Sequence, residues 1–284
     1  MPQISIIIRT KNEEDSVGMT LQGIFRQKGD LSPEVLVIDS GSTDRTLEIA
    51  GTYPVKIITI PPSDFTYGHA LNRGIRESSG KIACLLSAHS VPEGTEWLAE
   101  LVKPITGGTA HATYGRQIPV KGVNPFEEVS LSRHFPETER AAGRVPFSNA
   151  NCAFLRQMWE KVQFDEKLTS WEDYLWYILL KDSYTFRYCP RAAVSHSHPF
   201  SVRDIVQRRY NDGMAFRMIK DTYGIDVVED LYPGMTAKLR MFLSDMASHA
   251  VFFSKKGYKK YILLIPVVRI CAYFTYWRGF RSAG

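Results

Sequence analysis

Four short apolar runs near the start of the chain constrain its fold more than any other feature. They are rich in Ile, Leu and Val, and they lie at residues 4–8, 34–38, 55–60 and 82–86. Runs of this length and composition are typical of strands buried on both faces of a sheet. Between them, helices are predicted from residue 12 onward, at 43–50 and at 69–79, the last ending at Gly80. This alternation predicts an α/β fold with a mostly parallel sheet flanked by helices.

The ends of these predicted strands are the expected binding site, because ligands of such sheets bind where the parallel strands end. Polar residues follow the first, second and fourth runs, at 10–12, 39–44 and 87–92. No GxGxxG fingerprint follows a strand. Residues 74–81 (GIRESSGK) only approximate a P-loop, since a helix precedes them and Ile82 stands where Ser or Thr is needed. The dinucleotide and P-loop classes are therefore excluded.

The second half of the chain has a less regular pattern. Residues 112–145 hold several prolines and glycines, and residues 171–181 predict a helix. Residues 186–188 and 193–195 predict two short strands, and from residue 202 onward the pattern is helical and basic.

The net charge of +5 is concentrated at the C-terminal end. Residues 255–284 contain no acid and seven cations: Lys255, Lys256, Lys259, Lys260, Arg269, Arg278 and Arg281. Among them stand an apolar stretch and the aromatic residues Tyr273, Phe274, Tyr276 and Trp277. This composition suits a helix in the interface of an anionic membrane and disfavours nucleic acid as the partner. The alternative is a helix pair packed on the rest of the protein, with the aromatic side chains as its core.

Cysteine usage and apolar run lengths bear on the compartment. The four cysteines are far apart and form no CxxC pair, which indicates a reduced, cytosolic protein. Because Arg9 interrupts the first apolar run, we expect no signal peptide. The longest apolar run, residues 261–268, is far short of the roughly 20 residues that span a bilayer. We expect a cytoplasmic protein, peripheral on the inner face of the cell membrane.

Four sequence blocks occur in a defined order, and together they are specific. They are SIIIRTKNEE (5–14), VIDSGSTDRT (37–46), YGHALNRGIRESSGKIACLLSAHSVP (67–92) and WEDYLW (171–176), and HSHPFSVRDIVQRRYNDG (196–213) extends the pattern. This set resembles the inverting family 2 glycosyltransferases, and among them bacterial surface-polysaccharide and rhamnosyltransferase-like members. The resemblance implies a GT-A-type, Rossmann-like fold. It also implies transfer of a sugar from a nucleoside diphosphate to a hydroxyl of a lipid-linked glycan, with inversion.

The resemblance assigns the ends of the first two strands to the donor nucleotide. Asp39 would accept a hydrogen bond from the ring N–H of a pyrimidine, a role that suits a carboxylate. Thr10, Asn12, Glu13 and Ser40 would line the same pocket for a UDP-, dTDP- or GDP-sugar. The alternative for Asp39 is a purely structural cap on the following helix.

The block after the fourth strand departs from the family pattern. Family members carry an Asp-x-Asp motif there, which holds a divalent cation on the diphosphate, and here the residues are Ser87, Ala88 and His89. Imidazole binds Mn, Zn or Fe well and Mg poorly. Either His89 holds a cation such as Mn or Mg, joined by His198 in preference to His196, or it contacts the diphosphate without a metal. The alternative is a buried structural histidine.

The remaining site residues also follow from the resemblance. An inverting transfer needs a carboxylate base for the acceptor hydroxyl, and Asp173 would be that base, with Glu172 beside it. The alternative is that both acids only stabilise a helix N-terminus. Arg73 and Arg209 would face the diphosphate.

Two domains and two rival functions complete these expectations. We predict a catalytic domain over 1–200, with a donor half at 1–110 and an acceptor half at 111–200, followed by a basic helical region over 201–284. One rival is a sugar-nucleotide binding or scaffolding protein with a degenerate metal motif, which would not need a base. The other is a nucleotidyltransferase, which normally has a glycine-rich basic loop where this chain has RTKNEED.

Overall fold

The computed structural model describes residues 3–29, 31–139, 147–196, 201–231 and 233–283. Eight strands lie in these ranges: β1 Ile4–Thr10, β2 Glu34–Asp39, β3 Lys56–Thr59, β4 Ile82–Ser87, β5 Ser90–Pro92, β6 Ala112–Ile118, β7 Asn151–Leu155 and β8 Phe186–His196. The α-helices in the same ranges are α1 Val17–Phe25, α2 Thr46–Ala50, α3 Tyr67–Arg76, α4 Trp97–Thr106, α5 Pro125–His134, α6 Arg156–Lys161, α7 Glu172–Leu180, α8 Val202–Tyr223, α9 Val227–Leu231, α10 Gly234–Lys255, α11 Lys259–Ile262 and α12 Ile265–Ser282.

The chain divides into two compact units. We call the first the sheet unit; it comprises residues 1–120, 131–167 and 172–197. The second, the helical unit, comprises residues 121–130, 168–171 and 198–284.

The sheet unit is built on one mixed sheet with the strand order β3-β2-β1-β4-β7-β6-β8-β5. The four strands from β3 to β4 run parallel, and β7 runs antiparallel to both β4 and β6. In the register, Thr10 lies opposite Asp39, and Arg9 lies opposite Ser87. The polar residues that end β1, β2 and β4 therefore stand side by side, and the predicted α/β sheet with its shared edge is confirmed.

Side-chain alternation along β1 builds a separate core on each face of this sheet. Ile4, Ile6 and Ile8 belong to the core that packs on α1 and α4, whereas Ile7 belongs to the core on the opposite face, with α3 and α7. On that second face α3 lies very close to the sheet at Gly74, where a Cβ would come within 2.4 Å of Ile7 Cγ2. The side chain of Arg9 shares the face of Ile7, because successive side chains of a strand point to opposite sides.

Several sequence predictions differ from the structure at element boundaries. The helix predicted to end at Gly80 ends at Arg76, and Gly80 instead donates its N–H to Ser5 Oγ at 2.7 Å. The helix expected from residue 12 begins at Val17. Residues 186–188 and 193–195 belong to one strand, β8, rather than to two.

The described part of the stretch 112–145, residues 112–139, is more regular than its prolines and glycines indicated. It contains the central strand β6 and the helix α5. The strand is held by pairing with β7 and β8, a long-range interaction that local composition does not report.

The helical unit is held together by the close contact of α8 and α12. A Cβ at Gly213 would come within 2.1 Å of the Tyr276 carbonyl oxygen, and one at Gly279 within 2.0 Å of that of Tyr210. Only glycine permits the two backbones to approach so closely. A second cluster packs Phe126 and Val129 against Phe253 of α10. Among the described helices, none has the length and hydropathy that crossing a membrane requires.

Candidate active site

The loops that follow β1 and β2 are fastened to each other by hydrogen bonds. Asn12 has a left-handed backbone (φ 53°), and its Oδ1 accepts the N–H of Thr43 at 2.8 Å. The N–H of Asn12 donates to Ser42 Oγ at 2.8 Å, and that of Glu13 donates to Thr46 Oγ1 at 2.7 Å. Asparagine tolerates this backbone conformation better than most residues. Asn12 thus holds the two loops together, and its predicted place in the donor pocket stays a prediction.

The carboxylate of Asp39 organises the turn at the end of β2. The side chain is 1% exposed. Its Oδ2 accepts the N–H groups of Gly41 and Ser42, and its Oδ1 accepts the Ser42 hydroxyl at 2.5 Å. These contacts account for a structural role of Asp39, and its predicted contact with a nucleotide base stays a prediction.

Two buried hydroxyls lie beside Asp39, at the ends of β1 and β2. Thr10 is 4% exposed and Ser40 is 1% exposed. Among the described residues, neither hydroxyl has a hydrogen-bond partner, although the N–H of Ser40 donates to the Thr10 carbonyl. A buried hydroxyl without a partner costs about 1–3 kcal/mol. A ligand that supplied the missing partners would recover this energy, so the chemistry of these two positions fits a polar ligand.

The residues in place of the Asp-x-Asp motif have distinct roles. Ala88 is buried in the core, and its carbonyl accepts the Thr20 hydroxyl at 2.7 Å. Nδ1 of His89 lies 2.6 Å from Glu13 Oε1, and its ring centroid lies 4.9 Å from that of His196. Nδ1 of His196 in turn lies 2.8 Å from Ser90 Oγ.

These contacts provide a test of the predicted cation site. A carboxylate on Nδ1 orients an imidazole as it does in many metal-binding histidines, so His89 suits the role of a ligand. Within the described ranges, however, no group of three His, Cys, Asp or Glu side chains is arranged to hold a metal. His198, the second predicted ligand, lies outside the described residues. The described residues by themselves do not complete a cation site.

The paired acids at the start of α7 meet at Asn149. Asn149 Nδ2 donates to Glu172 Oε1 at 2.6 Å, and its main-chain N–H donates to Asp173 Oδ2 at 3.2 Å. The N–H of Tyr174 donates to Asp173 Oδ1 at 2.8 Å. Glu172 is 4% exposed, whereas Asp173 is half-buried and is therefore the more accessible of the two acids.

Burial raises the pKa of both acids. Burial and the neighbouring charge of Asp173 raise the pKa of Glu172 to about 7. Burial also raises the pKa of Asp173, and the N–H groups of Asn149 and Tyr174 oppose that shift. An acid whose pKa is raised toward neutrality is suited to general-base work.

A half-buried cation, Arg9, contacts this group, and our sequence analysis did not assign it to the site. Its Nη2 donates to Asn149 Oδ1 at 3.2 Å and lies 3.5 Å from Ser87 Oγ. Its guanidinium carbon is 4.6 Å from the centroid of the Tyr67 ring. An arginine inside an otherwise apolar strand was the available signal, because a charge that folding partly removes from water requires a partner.

The two arginines that were predicted to face the diphosphate form local ion pairs. Nη2 of Arg73 lies 3.1 Å from Glu77, one turn further along α3. Nη1 of Arg209 lies 2.9 Å from Asp212 within the helical unit. Their assignment to the diphosphate stays a prediction.

Comparison with known proteins identifies the family. Residues 5–163, more than half of the chain, match the family model of glycosyl transferase family 2. The chain belongs to glycosyltransferase family 2. It is therefore a nucleotide-sugar-dependent glycosyltransferase, as the sequence blocks predicted.

Curated relatives of this family 2 enzyme include two Salmonella proteins. The O-antigen chain rhamnosyltransferase WbaN of Salmonella anatum is 26% identical over 227 residues, which cover 75% of this chain and 72% of the relative. The O-antigen chain rhamnosyltransferase RfbN of Salmonella typhimurium is 26% identical over 226 residues, with the same coverage of both chains.

Solved structures confirm the GT-A-type fold of the family 2 enzyme. A mannosyltransferase from Pyrobaculum calidifontis, in complex with GDP-Man and Mn²⁺, has a TM-score of 0.65 at 18% identity and covers 97% of this chain and 87% of its own. Glucosyl-3-phosphoglycerate synthase from Mycobacterium tuberculosis, in complex with Mn²⁺ and UDP, has a TM-score of 0.59 at 19% identity and covers 78% and 80%.

The raised pKa of Glu172 predicts how the stability of this glycosyltransferase depends on pH. Between the ordinary value of 4.5 and about 7, the unfolded chain releases the proton that the folded protein retains. The free energy of unfolding therefore falls as the pH rises through this window and then levels off. In Glu172→Gln the amide oxygen Oε1 can still accept the hydrogen bond from Asn149, but the side chain no longer titrates. We therefore expect this variant to lose the part of the pH-dependent fall in unfolding free energy that Glu172 causes. That part is worth a few kcal/mol, at about 1.4 kcal/mol per pKa unit.

Urea unfolding at pH 5 and pH 8 measures this difference. Glu160→Gln is the control, because Glu160 pairs with Arg156 on the surface at 58% exposure. A Glu172→Gln variant that lost as much stability between the two pH values as the wild type would contradict the assignment.

Proposed function

We propose that the enzyme transfers rhamnose from a nucleoside-diphosphate donor to a hydroxyl of a lipid-linked glycan, with inversion, in bacterial polysaccharide biosynthesis. The sugar and the pathway are taken from the names of the two Salmonella relatives. The observation that carries the proposal is the half-buried carboxylate of Asp173. Through Asn149 and Arg9 it is joined by hydrogen bonds to the carboxyl end of β1.

Asp173 would act as the general base. Its carboxylate takes the proton of the acceptor hydroxyl while that oxygen forms a bond to the anomeric carbon. The bond from this carbon to the diphosphate oxygen breaks, and the nucleoside diphosphate leaves with the electron pair. Glu172 is buried beside the base and accepts from Asn149, so its role is to build the site rather than to contact the acceptor.

The donor nucleotide would lie at the ends of β1 and β2. The Thr10 and Ser40 hydroxyls are buried and have no partner among the described side chains, so a nucleoside can satisfy them. Asp39 stands next to Ser40 as an acceptor for a ring N–H. Glu13 orients His89 at the diphosphate end of the pocket.

A divalent cation is part of this proposal, with His89 and His198 as its ligands in this chain. When bound, the cation would neutralise charge on the leaving diphosphate. Manganese suits imidazole better than magnesium does. Arg73 and Arg209 would contribute positive charge to the same diphosphate.

Transfer assays with a donor panel test the function. UDP-, dTDP- and GDP-sugars, including dTDP-rhamnose, would be offered with a lipid-linked glycan acceptor, with EDTA or with added Mn²⁺. We expect turnover with one donor class, and loss of that turnover in EDTA if His89 holds a cation. A donor that bound tightly without being turned over would contradict the proposal and favour the scaffolding function.

The helical unit supports the second part of the proposal, peripheral attachment at the inner face of the cell membrane. The outer face of α12 carries exposed apolar and aromatic side chains at helical spacing: Val267, Ile270, Phe274 and Trp277. Arg278 and Arg281 flank the aromatic residues, and together with Phe274 and Trp277 they line a shallow groove. The opposite face of α12, with Val268 and Ala272, is buried. This pattern suits a helix lying in the interface of an anionic bilayer.

Vesicle flotation tests the attachment. We expect binding to vesicles of phosphatidylglycerol and phosphatidylcholine, and little binding to phosphatidylcholine alone. Arg278→Glu with Arg281→Glu would weaken binding about 30-fold or more, at about 1 kcal/mol for each lost cation. Lys28→Glu with Lys81→Glu, two exposed sites of the sheet unit, is the matched control. Equal losses in both double variants would contradict a specific role for α12.

A further inference from the structure

The guanidinium of Arg9 is the one described cation that hydrogen-bonds to Asn149, the residue that contacts both acids of the site. The contact is direct, from Arg9 Nη2 to Asn149 Oδ1 at 3.2 Å. The other polar groups of Asn149 are committed to the acids, Nδ2 to Glu172 and N–H to Asp173. Asn149 is 5% exposed, so this connection is shielded from water.

Side chains from β1, β7 and α3 surround the two acids and the guanidinium of Arg9. Arg9 from β1 is the cation whose charge favours the ionised form of both carboxyls. The Cys152 thiol on β7 is buried with a strongly raised pKa, so it stays neutral. From α3, the Tyr67 ring covers the guanidinium. Two adjacent carboxyls thus share one opposing charge.

We propose that Arg9 is a positioning residue that keeps Asp173 ionised and oriented for its work as the base, acting through Asn149. The inference rests on the proposed function of Asp173 and extends it to a residue of β1. With Asn149 Oδ1 held by the guanidinium, the amide cannot flip, and its Nδ2 is directed to Glu172. The main chain of Asn149 is held with it, so its N–H stays on Asp173.

The first test measures the acids directly and needs no turnover. Carbon-13 NMR of protein labelled at the Asp and Glu carboxyls would follow both titrations, with assignment from Glu172→Gln and Asp173→Asn. We expect Arg9→Met to raise the titration midpoints of the pair by about one to three pH units, the usual effect of removing an opposite charge. Arg9→Lys, which retains the charge, should recover much of the shift.

Arg156→Met is the matched control. Arg156 also lies over an aromatic ring, 5.6 Å from the centroid of Trp159, but it donates to the carbonyls of Ile75 and Ser78 and to the surface carboxylate of Glu160. It should leave both carboxyl titrations unchanged. If Arg9→Met does not fold, Arg9→Gln provides the same comparison, because it removes the charge and keeps a donor for Asn149. Midpoints that move no more in the Arg9 variants than in Arg156→Met would overturn the proposal.

The second test uses the donor identified by the transfer panel. In Arg9→Met we expect the acid limb of the pH profile of kcat/KM to move upward with the carboxyl midpoints, and Arg9→Lys to restore it. A higher KM for the donor at every pH, with an unmoved acid limb, would instead make Arg9 a ligand of the diphosphate and overturn the proposal. The NMR result separates a failure of this inference from a failure of the proposed function. If the carboxyl titrations shift but no donor is turned over, the role of Arg9 is supported and the proposed sugar transfer is contradicted.

Discussion

Asp173→Asn is expected to abolish sugar transfer while the protein remains folded and still binds its donor. An amide cannot take the proton of the acceptor hydroxyl, and loss of a general base costs about 10²–10⁴-fold in kcat. The half-buried side chain lies at the start of α7 and accepts two main-chain N–H groups. Asparagine can accept only one of them well, so thermal unfolding should be recorded alongside the kinetics.

The control for this experiment is Asp182→Asn, an exposed acid just beyond the end of α7. It should retain full activity. The decisive measurement is kcat with saturating donor, together with donor binding by calorimetry. If Asp173→Asn kept more than a small fraction of wild-type kcat, the base would have to be another residue, and Glu172 is too buried to replace it without a rearrangement.

The double substitution Gly213→Ala with Gly279→Ala is expected to disrupt the helical unit. Each new Cβ would lie within about 2 Å of a carbonyl oxygen on the facing helix, and a backbone cannot move aside as a side-chain end can. Overpacking of this kind costs about 1–3 kcal/mol per site. Alanine recovers only about 1 kcal/mol per site of helix propensity. We therefore expect a net loss of stability and faster proteolysis within α8 and α12.

Gly18→Ala provides the comparison for these glycines. It is also a helical glycine, but its Cβ would meet only a side-chain methyl, Cγ2 of Ile49, at 3.2 Å. That variant should be neutral or more stable in urea unfolding. Equal effects of the two changes would mean that α8 and α12 do not depend on their glycines for packing.

Much of the parallel half of the sheet was predictable because its information is local. The apolar runs that became β1, β2 and β4 are buried on both faces, so each run by itself indicates a strand. The run that became β3 indicated a buried strand as well, but β3 lies at the edge of the sheet and is mostly exposed. The later half was harder to predict. Strand β6 and the full length of β8 depend on pairing between residues far apart in the chain, and their composition alone does not indicate it.

The family and the α/β sheet could be predicted from the amino-acid sequence, because ordered blocks and buried β-branched runs are properties of contiguous residues. The sequence also marked Asp173, Glu172 and His89 as candidates. The folded chain was needed to find that Asn149 joins both acids to Arg9, and that Glu172 is buried while Asp173 is half-buried. These facts depend on which distant side chains meet at the ends of the strands. Burial and charge at that point, rather than residue type, set the roles of the two acids.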